Sequence, residues 1–450
     1  MPTLNTFLFK AYGYNPETGK LTLDYALEDG ASFREEITFP DAHAAYQSLS
    51  AHSHEALDRA FQLIFLLAGV SYYKATIPRH LRNEAFALDE QTAAFCQKVY
   101  AGGLGEFAYR NKVDLDFVFE TDKAIPQLSQ ATVLGLSARA LVPVGGGKDS
   151  IVTIESLRKA GKPFTLFALG GAGELAEPIR RTIETAKAEV IHVRRVLSPC
   201  LIELNKQAGT LNGHVPITAI LSSIAVACAI LYGFNAVILS NERSANAPNL
   251  VLNGKEINHQ YSKSFSFERD LATYVHDTIA ADLHYFSLLR PLSETAIAKR
   301  FAAQASAYFS VFRSCNASFK QDEGRRARNW CCNCPKCRFV FLALASFMEK
   351  APLIATFGNN LLDNPAQEEG FRELCGLAAF KPFECVGEIE ESATLMAKLA
   401  TDPAWKKDSV IAALTSNLTS KIPDPEAALD TLLKPSSDHL IPDEYAHALD

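Results

Sequence analysis

The chain of 450 residues is 48% hydrophobic and 21% charged, and its formal net charge is −7. A chain of this length exceeds one ordinary core, so we expect a central domain with smaller attachments. The composition is typical of a folded globular protein. The negative charge provides no broad field for a polyanion, which disfavours nucleic-acid binding and favours a small-molecule substrate.

Several features predict a cytoplasmic protein without a membrane span. The N-terminal sequence MPTLNTFLFKAYGYNPETGK lacks the basic start and the long apolar segment of a signal peptide. The ten cysteines are unevenly spread, unlike those of a secreted disulfide scaffold. A charge-free run over 207–241 is long enough to suggest a membrane span, but Gly233 and Asn235 interrupt it. We interpret this run as a helix, a turn and a buried strand of a soluble core.

Residues 1–128 are predicted to form an N-terminal α+β domain. The segments NTFLFKAYGY and KLTLDYALED alternate apolar and polar residues around the turn NPETGK, which indicates a β-hairpin. Helical spacing of apolar residues follows over 53–75.

Residues 129–345 are predicted to form a central α/β domain with a doubly wound parallel sheet. Short apolar runs alternate there with helical segments, which favours parallel strands with helices on both faces. The runs cover 140–144, 164–169, 189–193, 236–240 and 286–290. Residues 346–450 are expected to be mostly helical. Ligands of such sheets bind beyond the carboxyl ends of the strands.

The sequence GGGKDS follows the first central strand and opens a helix. Glycines allow close backbone approach, and the amides at a helix start favour an anion, so we infer a phosphate site. The alternative is a flexible turn. Asp149 after Lys148 excludes a Walker A loop, and the dinucleotide spacing is absent. The predicted ligand-binding residues are Gly145, Gly146, Gly147, Lys148, Asp149 and Ser150.

This loop resembles the PP-loop of the N-type ATP pyrophosphatases, whose usual form is S-G-G-x-D-S, with Gly145 in place of the leading serine. The resemblance implies that ATP and Mg²⁺ bind here, with Asp149 near the metal, and that ATP is cleaved to AMP and pyrophosphate. It also places Gly170, in FALGG, near the adenosine. The segment LLRPLSE over 288–294 resembles a later element of the same family.

A cysteine cluster follows the central sheet. Cys331, Cys334 and Cys337 have C-x₂-C-x₂-C spacing, and Cys315 could complete a tetrahedral zinc site. The pattern is similar to the zinc site of the PP-loop 7-cyano-7-deazaguanine synthases. Cys332 is left over, either as a buried thiol or as a catalytic acid or base. The intervening segment is basic and either meets substrate phosphates or is solvated; its cations are Lys320, Arg325, Arg326 and Arg328.

Two polar segments, SNERSANAPN over 240–249 and NHQYSKSFSFE over 258–268, lie near the predicted ligand-binding edge. Either they orient a polar substrate or they are solvated loops. Among their residues His259 is a candidate proton acceptor.

With VPVGGGKDSIVTIE, WCCNCPKC and the later FKPFECVGE, these segments resemble the bacterial UDP-N-acetylmuramoyl-L-alanyl-L-glutamate epimerases over most of the chain. The resemblance implies ATP- and Mg²⁺-dependent inversion of the terminal L-glutamate of a UDP-linked muramoyl dipeptide, with release of AMP and diphosphate. Cys332, His259 and Cys385 are the candidates for proton transfer, because thiols and imidazoles accept α-protons. The alternatives are a hydrogen-bonded structural role for His259 and a packed core thiol for Cys385.

Two other functions stay open on the sequence. The cysteine cluster also suits a PP-loop tRNA-modifying enzyme or a 7-cyano-7-deazaguanine synthase, although no RNA-binding module is recognisable. A nucleotide-binding regulatory protein could retain the loop without catalysis. The sequence does not determine the oligomeric state.

Overall fold

The computed structural model describes residues 5–28, 30–121, 130–252, 255–319, 324, 326–378 and 381–450. Its strands are β1 Thr6–Asn15, β2 Lys20–Leu27, β3 Ser32–Thr38, β4 His80–Asn83, β5 Val118–Phe119, β6 Ser137–Pro143, β7 Phe164–Gly170, β8 Val190–Val196, β9 Phe234–Leu239, β10 Leu250–Leu252, β11 Lys255–Ile257 and β12 His284–Ser287.

The helices of the first half are α1 Ala42–Gln47, α2 Ala51–Ala68, α3 Val70–Tyr73, α4 Glu90–Gly103, α5 Gly105–Asn111, α6 Lys148–Lys159, α7 Glu177–Ala186, α8 Pro199–Leu204 and α9 Ile217–Tyr232. Those of the second half are α10 Phe265–Tyr274, α11 Glu294–Gln304, α12 Pro335–Ala345, α13 Lys350–Phe357, α14 Glu368–Leu374, α15 Ile389–Thr401, α16 Ser409–Lys421 and α17 Pro425–Leu433. Short 3₁₀ turns and one π-helical turn, Val275–Ile279, connect them.

Within the described residues, one ten-stranded sheet has the order β12-β9-β6-β7-β8-β3-β2-β1-β4-β5. The five strands from β12 to β8 pair in parallel. From β6 the chain first adds β7 and β8 on one side and later adds β9 and β12 on the other. The carboxyl ends of β6 and β9 therefore flank the point where the strand order reverses, which is the usual ligand crevice of such sheets.

The central strands are apolar on both faces, because each face is covered. Leu141, Phe167 and Val237 point into a core that contains α2 and α9. Their neighbours Val142, Ala168 and others point to the opposite core, which contains α6, α11 and the C-terminal helices. This arrangement explains the continuous apolar runs of the sequence, since alternate residues of a strand face opposite sides.

The N-terminal strands extend the same sheet. β3 pairs antiparallel with β8, and α2 packs on α9. A buried ion pair closes this seam, because Arg195 Nε of β8 donates to Glu35 Oε1 of β3 at 2.7 Å. Tyr72 Oη also donates to Glu35, at 2.8 Å, and Ser71 Oγ accepts from Arg195 at 3.0 Å. The division of the chain near residue 128 stays a prediction, while the sheet is continuous across it.

The structure confirms a mixed α/β fold with a large, mostly parallel sheet and a helical C-terminal region. The predicted hairpin is β1 and β2, which pair antiparallel. The strand expected over 286–290 is instead His284–Ser287, since a turn begins at Ser287, where Arg290 N donates to the Ser287 carbonyl at 3.3 Å. The charge-free run forms α9, Gly233 and β9, as predicted. In the described part of the chain, no helix has the length and apolar character needed to cross a membrane.

Replacing Glu35 by alanine is expected to destabilise the protein by about 3–5 kcal/mol, because it leaves the buried guanidinium of Arg195 without a carboxylate. The neighbouring Glu36→Ala is the matched control, since Glu36 pairs with Lys20 at the surface and its loss should cost less than about 1 kcal/mol. Urea unfolding of both variants measures the difference. Equal unfolding midpoints would contradict the assignment of Glu35 to the seam.

Candidate functional site

The glycine loop connects β6 to α6 at the carboxyl edge of the sheet. Gly146 has a φ of 77°, and a Cβ there would lie 2.8 Å from the carbonyl carbon of Pro178, so a side chain is excluded. Gly147 caps α6 in an extended conformation without a side-chain hydrogen bond. Around Gly145 no described atom would lie within 4 Å of a Cβ. The loop is therefore shaped for an anion at the start of α6.

Arg313 lies against this loop. Its backbone N–H donates to the Gly146 carbonyl at 2.9 Å, and its guanidinium pairs with Glu177 at 3.2 Å. The side chain is 5% exposed, and its Nη1 has no hydrogen-bond partner among the described residues. A buried guanidinium nitrogen without a partner beside an anion-shaped loop indicates a place for a negatively charged ligand.

The ammonium of Lys148 is buried and contacts the carboxylates of Asp149 and Glu294. Burial alone would lower the pKa of Lys148, but these two carboxylates raise it well above its usual value. Burial would likewise raise the pKa of Asp149, yet Lys148 holds it below its usual range. Lys148 is therefore engaged with carboxylates and orients Asp149 at the loop.

Three carboxylates meet at the crevice. Asp149 follows β6, Glu242 follows β9, and Glu294 begins α11; one oxygen of each lies within 4.8 Å of the others. Glu242 and Glu294 are buried. Burial, with the charges of Asp149 and Glu242, raises the pKa of Glu294 to about 8 despite the opposing charge of Lys148. Three carboxyl groups that repel one another in this way offer the oxygen ligands that a hard divalent cation such as Mg²⁺ prefers.

A second group of side chains surrounds the thiol of Cys385. Lys263 Nζ lies 3.6 Å from Cys385 Sγ. Burial raises the pKa of Cys385, but the charges of Lys263 and Lys336, together with His259, lower it to about 6. The thiol is therefore largely a thiolate at neutral pH, the form that is nucleophilic and basic.

His259 is held between this thiol and a buried carboxylate. Its Nδ1 contacts Glu106 of α5, and its ring lies 4.4 Å from that of His214. Burial lowers the pKa of His259, but hydrogen bonds with Cys385 and Glu106 raise it to about 9. Burial, with repulsion from His259, lowers the pKa of His214 to about 4. His259 is thus protonated at neutral pH, and His214 is neutral.

Lysine side chains connect the two groups. The charges of Lys263 and Lys336 lower the pKa of Asp149 as well as that of Cys385. Lys381 is partly buried near Glu294 and Cys385, and burial lowers its pKa. The carboxylates beside the glycine loop and the thiol therefore lie near the same lysines at the crevice of the sheet edge, and we call this region the cleft.

The two polar segments carry residues of this cleft and are fixed by hydrogen bonds. Asn246 Oδ1 accepts from Phe265 N at 2.7 Å, and Asn249 Oδ1 accepts from His259 N at 2.9 Å. Arg290, 1% exposed, pairs with Glu268 at 2.7 Å and donates to the carbonyls of Glu242 and Lys263. Many polar groups of these segments thus form hydrogen bonds that fix the loops carrying Glu242, His259 and Lys263.

The sulfur atoms of Cys315, Cys331, Cys334 and Cys337 lie within 4.8 Å of one another. All ten cysteines are free thiols. Cys332 points elsewhere: its thiol lies 3.3 Å from the Phe357 carbonyl and 3.6 Å from that of Trp330, in the core, and burial raises its pKa.

The remaining sequence candidates lie as follows. Ser150 Oγ donates to the Gly147 carbonyl at 3.1 Å. Gly170 ends β7, and a Cβ there would lie 2.5 Å from His192 Nε2. Of the basic segment, Arg328 is exposed, and Lys320 and Arg325 lie outside the described residues.

Sequence reasoning did not single out four residues of the cleft: Glu106, His214, Lys336 and Lys381. Glu106 lies within a helix and His214 within the charge-free run, so neither belongs to a motif. Lys336 stands between two cysteines of the cluster, and this position was the available signal.

Comparisons with known proteins identify the family. The model of the MurL N-terminal domain matches residues 1–288, and that of the MurL C-terminal domain matches residues 311–429. Proteins named UDP-N-acetyl-alpha-D-muramoyl-L-alanyl-L-glutamate epimerase are similar to the chain. The relative from Xanthomonas oryzae pv. oryzae is 42% identical over 98% of this chain and 95% of its own length. That from a Micromonospora species is 42% identical over 99% and 98%, and that from Salinispora tropica is 40% identical over 99% and 96%.

No solved structure shows significant similarity to the chain. The two domain models together match more than half of its residues, and the relatives are similar along almost their full lengths. The chain therefore belongs to the MurL family of epimerases.

Proposed function

We propose that this chain is an isomerase of peptidoglycan precursor synthesis that inverts the terminal L-glutamate of UDP-N-acetylmuramoyl-L-alanyl-L-glutamate, with ATP as co-substrate. The relatives carry the name of this epimerase. The observation that carries the mechanism is that three carboxylates meet beside the anion-shaped loop and that the lysines acting on Asp149 also lower the pKa of Cys385.

ATP is needed because the α-proton of a free carboxylate is very weakly acidic, since its removal yields a poorly stabilised dianion. In the proposed reaction a carboxylate oxygen of the glutamate attacks the α-phosphorus of ATP, and diphosphate leaves. The acyl-adenylate behaves as an activated ester, so a positioned base can remove the α-proton and an acid can return it on the other face. Water then cleaves the mixed anhydride, releasing the D-glutamyl product and AMP.

The chain's own residues suit these steps. The amides at the start of α6 and Nη1 of Arg313, which has no partner among the described residues, would bind the diphosphate end of ATP. Asp149, Glu242 and Glu294 are suited to hold Mg²⁺, which supplies charge neutralisation of the phosphates.

Cys385 is the proton acceptor in this proposal. It is a thiolate at neutral pH and lies in the cleft, whereas Cys332 has a raised pKa and lies in the core. His259, protonated by its contact with Glu106, stabilises the thiolate and is a proton donor rather than a base. Asp149 acts on the metal and nucleotide.

Replacing Asp149 by asparagine is expected to abolish both AMP release and formation of D-glutamate, because metal and nucleotide lose a ligand. We expect kcat to fall about 100-fold or more. Incubation with ATP, Mg²⁺ and the UDP-muramoyl dipeptide, followed by chiral analysis of glutamate and quantification of AMP, measures both. The exposed Glu184→Gln on α7 is the control and should be fully active. Epimerisation that persists in the Asp149 variant would refute the ATP-dependent mechanism, as would wild-type product containing L-glutamate alone.

Replacing Cys385 by alanine is expected to separate activation from inversion. AMP release, which requires adenylation and hydrolysis but no proton transfer at Cα, should continue, while deuterium uptake at the glutamate Cα in heavy water should fall about 100-fold or more. The exposed Cys200→Ala is the control. Unchanged deuterium uptake in the Cys385 variant would assign the proton transfer to another residue.

The kcat/KM for the dipeptide is expected to have a bell-shaped dependence on pH. It should rise through the pKa of Cys385 near 6, because only the thiolate accepts a proton, and fall through the pKa of His259 near 9, as His259 loses its charge. In Glu106→Gln the raising influence of Glu106 on His259 is lost, so the alkaline limb should move to lower pH. An alkaline limb that stays in place would dissociate His259 from the reaction.

A further inference from the structure

The four clustered cysteines form a compact set of thiols beside the active-site cleft. Cys334 Sγ lies 3.5 Å from Cys337 Sγ, and Cys331 Sγ lies 3.7 Å from Cys337 Sγ. Sulfur atoms about 2.3 Å from a tetrahedral zinc ion stand about 3.8 Å apart, so the observed spacing is close to that of a four-thiolate site. Zinc sites with four protein ligands and no open position are structural rather than catalytic.

The burial of these cysteines is graded. Cys315 and Cys337 are buried, Cys334 is partly buried, and Cys331 is exposed, so a metal ion can enter from the side of Cys331. The backbone N–H of Cys331 donates to Cys315 Sγ at 3.4 Å. A hydrogen bond of this kind stabilises negative charge on the sulfur.

The cluster is joined to the glycine loop by its own backbone. Two residues before Cys315, Arg313 N donates to the Gly146 carbonyl. Between them, the Ser314 Cβ lies 3.4 Å from the position a Cβ on Gly147 would take. Residues 313–315 thus form a strip that packs against the glycine loop and ends at the first cysteine of the cluster.

The cluster also places a cation in the cleft. Lys336 precedes Cys337 in the first turn of α12, and its charge acts on both Asp149 and Cys385. Between the 3₁₀ turn Asn316–Phe319 and α12, the described residues form neither strand nor α-helix. A metal ion with ligands at both ends of such a segment would fix the two ends relative to each other, because metal binding is coupled to folding.

We propose that Cys315, Cys331, Cys334 and Cys337 bind one zinc ion, and that this ion clamps the strip behind the glycine loop to the start of α12. The clamp fixes the loop and Lys336 relative to each other. The zinc site itself is independent of the epimerase reaction, whereas its effect on nucleotide binding rests on the function proposed above.

Measurements on the whole chain test the zinc site directly. Elemental analysis after purification should give about one zinc per chain, and exchange for Co²⁺ should produce the intense near-ultraviolet absorption of thiolate-to-cobalt charge transfer. The double variant Cys331→Ser and Cys334→Ser should lose both signals. Cys332→Ser lies in the same run but outside the cluster, and it should keep both.

The clamp has its own readout. Removal of zinc from the wild type by a chelator should lower the thermal midpoint and weaken ATP binding in calorimetry by about tenfold or more, and added zinc should restore both. Wild-type protein that neither contains zinc nor takes up Co²⁺ would overturn the zinc site. Loss of metal in Cys332→Ser but not in the double variant would do the same. Zinc removal that leaves ATP affinity unchanged would overturn the clamp alone.

Discussion

The geometry of the cleft depends on the hydrogen bonds of the buried guanidinium of Arg290. It pairs with Glu268 inside the protein and donates to the carbonyls of Glu242 and Lys263. Glu268 in turn accepts from Ser287 N at the end of β12. A charge pair so deeply buried is maintained only when its hydrogen bonds are satisfied, and here they are satisfied by the loops of the site. The loop after β9 and the turn before α10 are thereby held at fixed positions relative to the sheet edge.

The cleft has an acidic region and a basic region, and the proposed reaction requires both. The carboxyl groups of Asp149, Glu242 and Glu294 meet in one region, and Lys148 contacts two of them. The charges of Lys263 and Lys336 act both on Asp149 of that region and on the thiol of Cys385. The same two cations therefore lower the pKa of Cys385 and that of Asp149. In the proposed reaction this arrangement would place activation and proton transfer within reach of one bound substrate.

Much of the fold was predictable, because its signals are local. The parallel strands read as apolar runs, since both faces of the sheet are covered, and GGGKDS marked the sheet edge at which the site lies. Spacing alone brought Cys331, Cys334 and Cys337 together as candidates. The continuity of the sheet between β3 and β8 was not predictable, because antiparallel pairing across more than 150 residues leaves no periodic trace. The surroundings of Cys385 were only partly predictable for the same reason: Lys336 acts on it from α12, and His259, which contacts it, is held by Glu106 of α5.

The amino-acid sequence by itself determined which residue types were present and which short segments form strands, helices and the glycine loop, because hydrophobic periodicity and glycine content act over a few residues. Only the tertiary structure decided which of the ten cysteines are chemically distinct. Cys332 and Cys385 each stand two residues after an aromatic residue, and the sequence offered both as candidates for proton transfer. Folding places one thiol among the carbonyls and rings of a core, where burial raises its pKa, and the other among two lysines and a protonated histidine, where charge lowers it. Such differences arise from through-space interactions between distant segments, which no local pattern records.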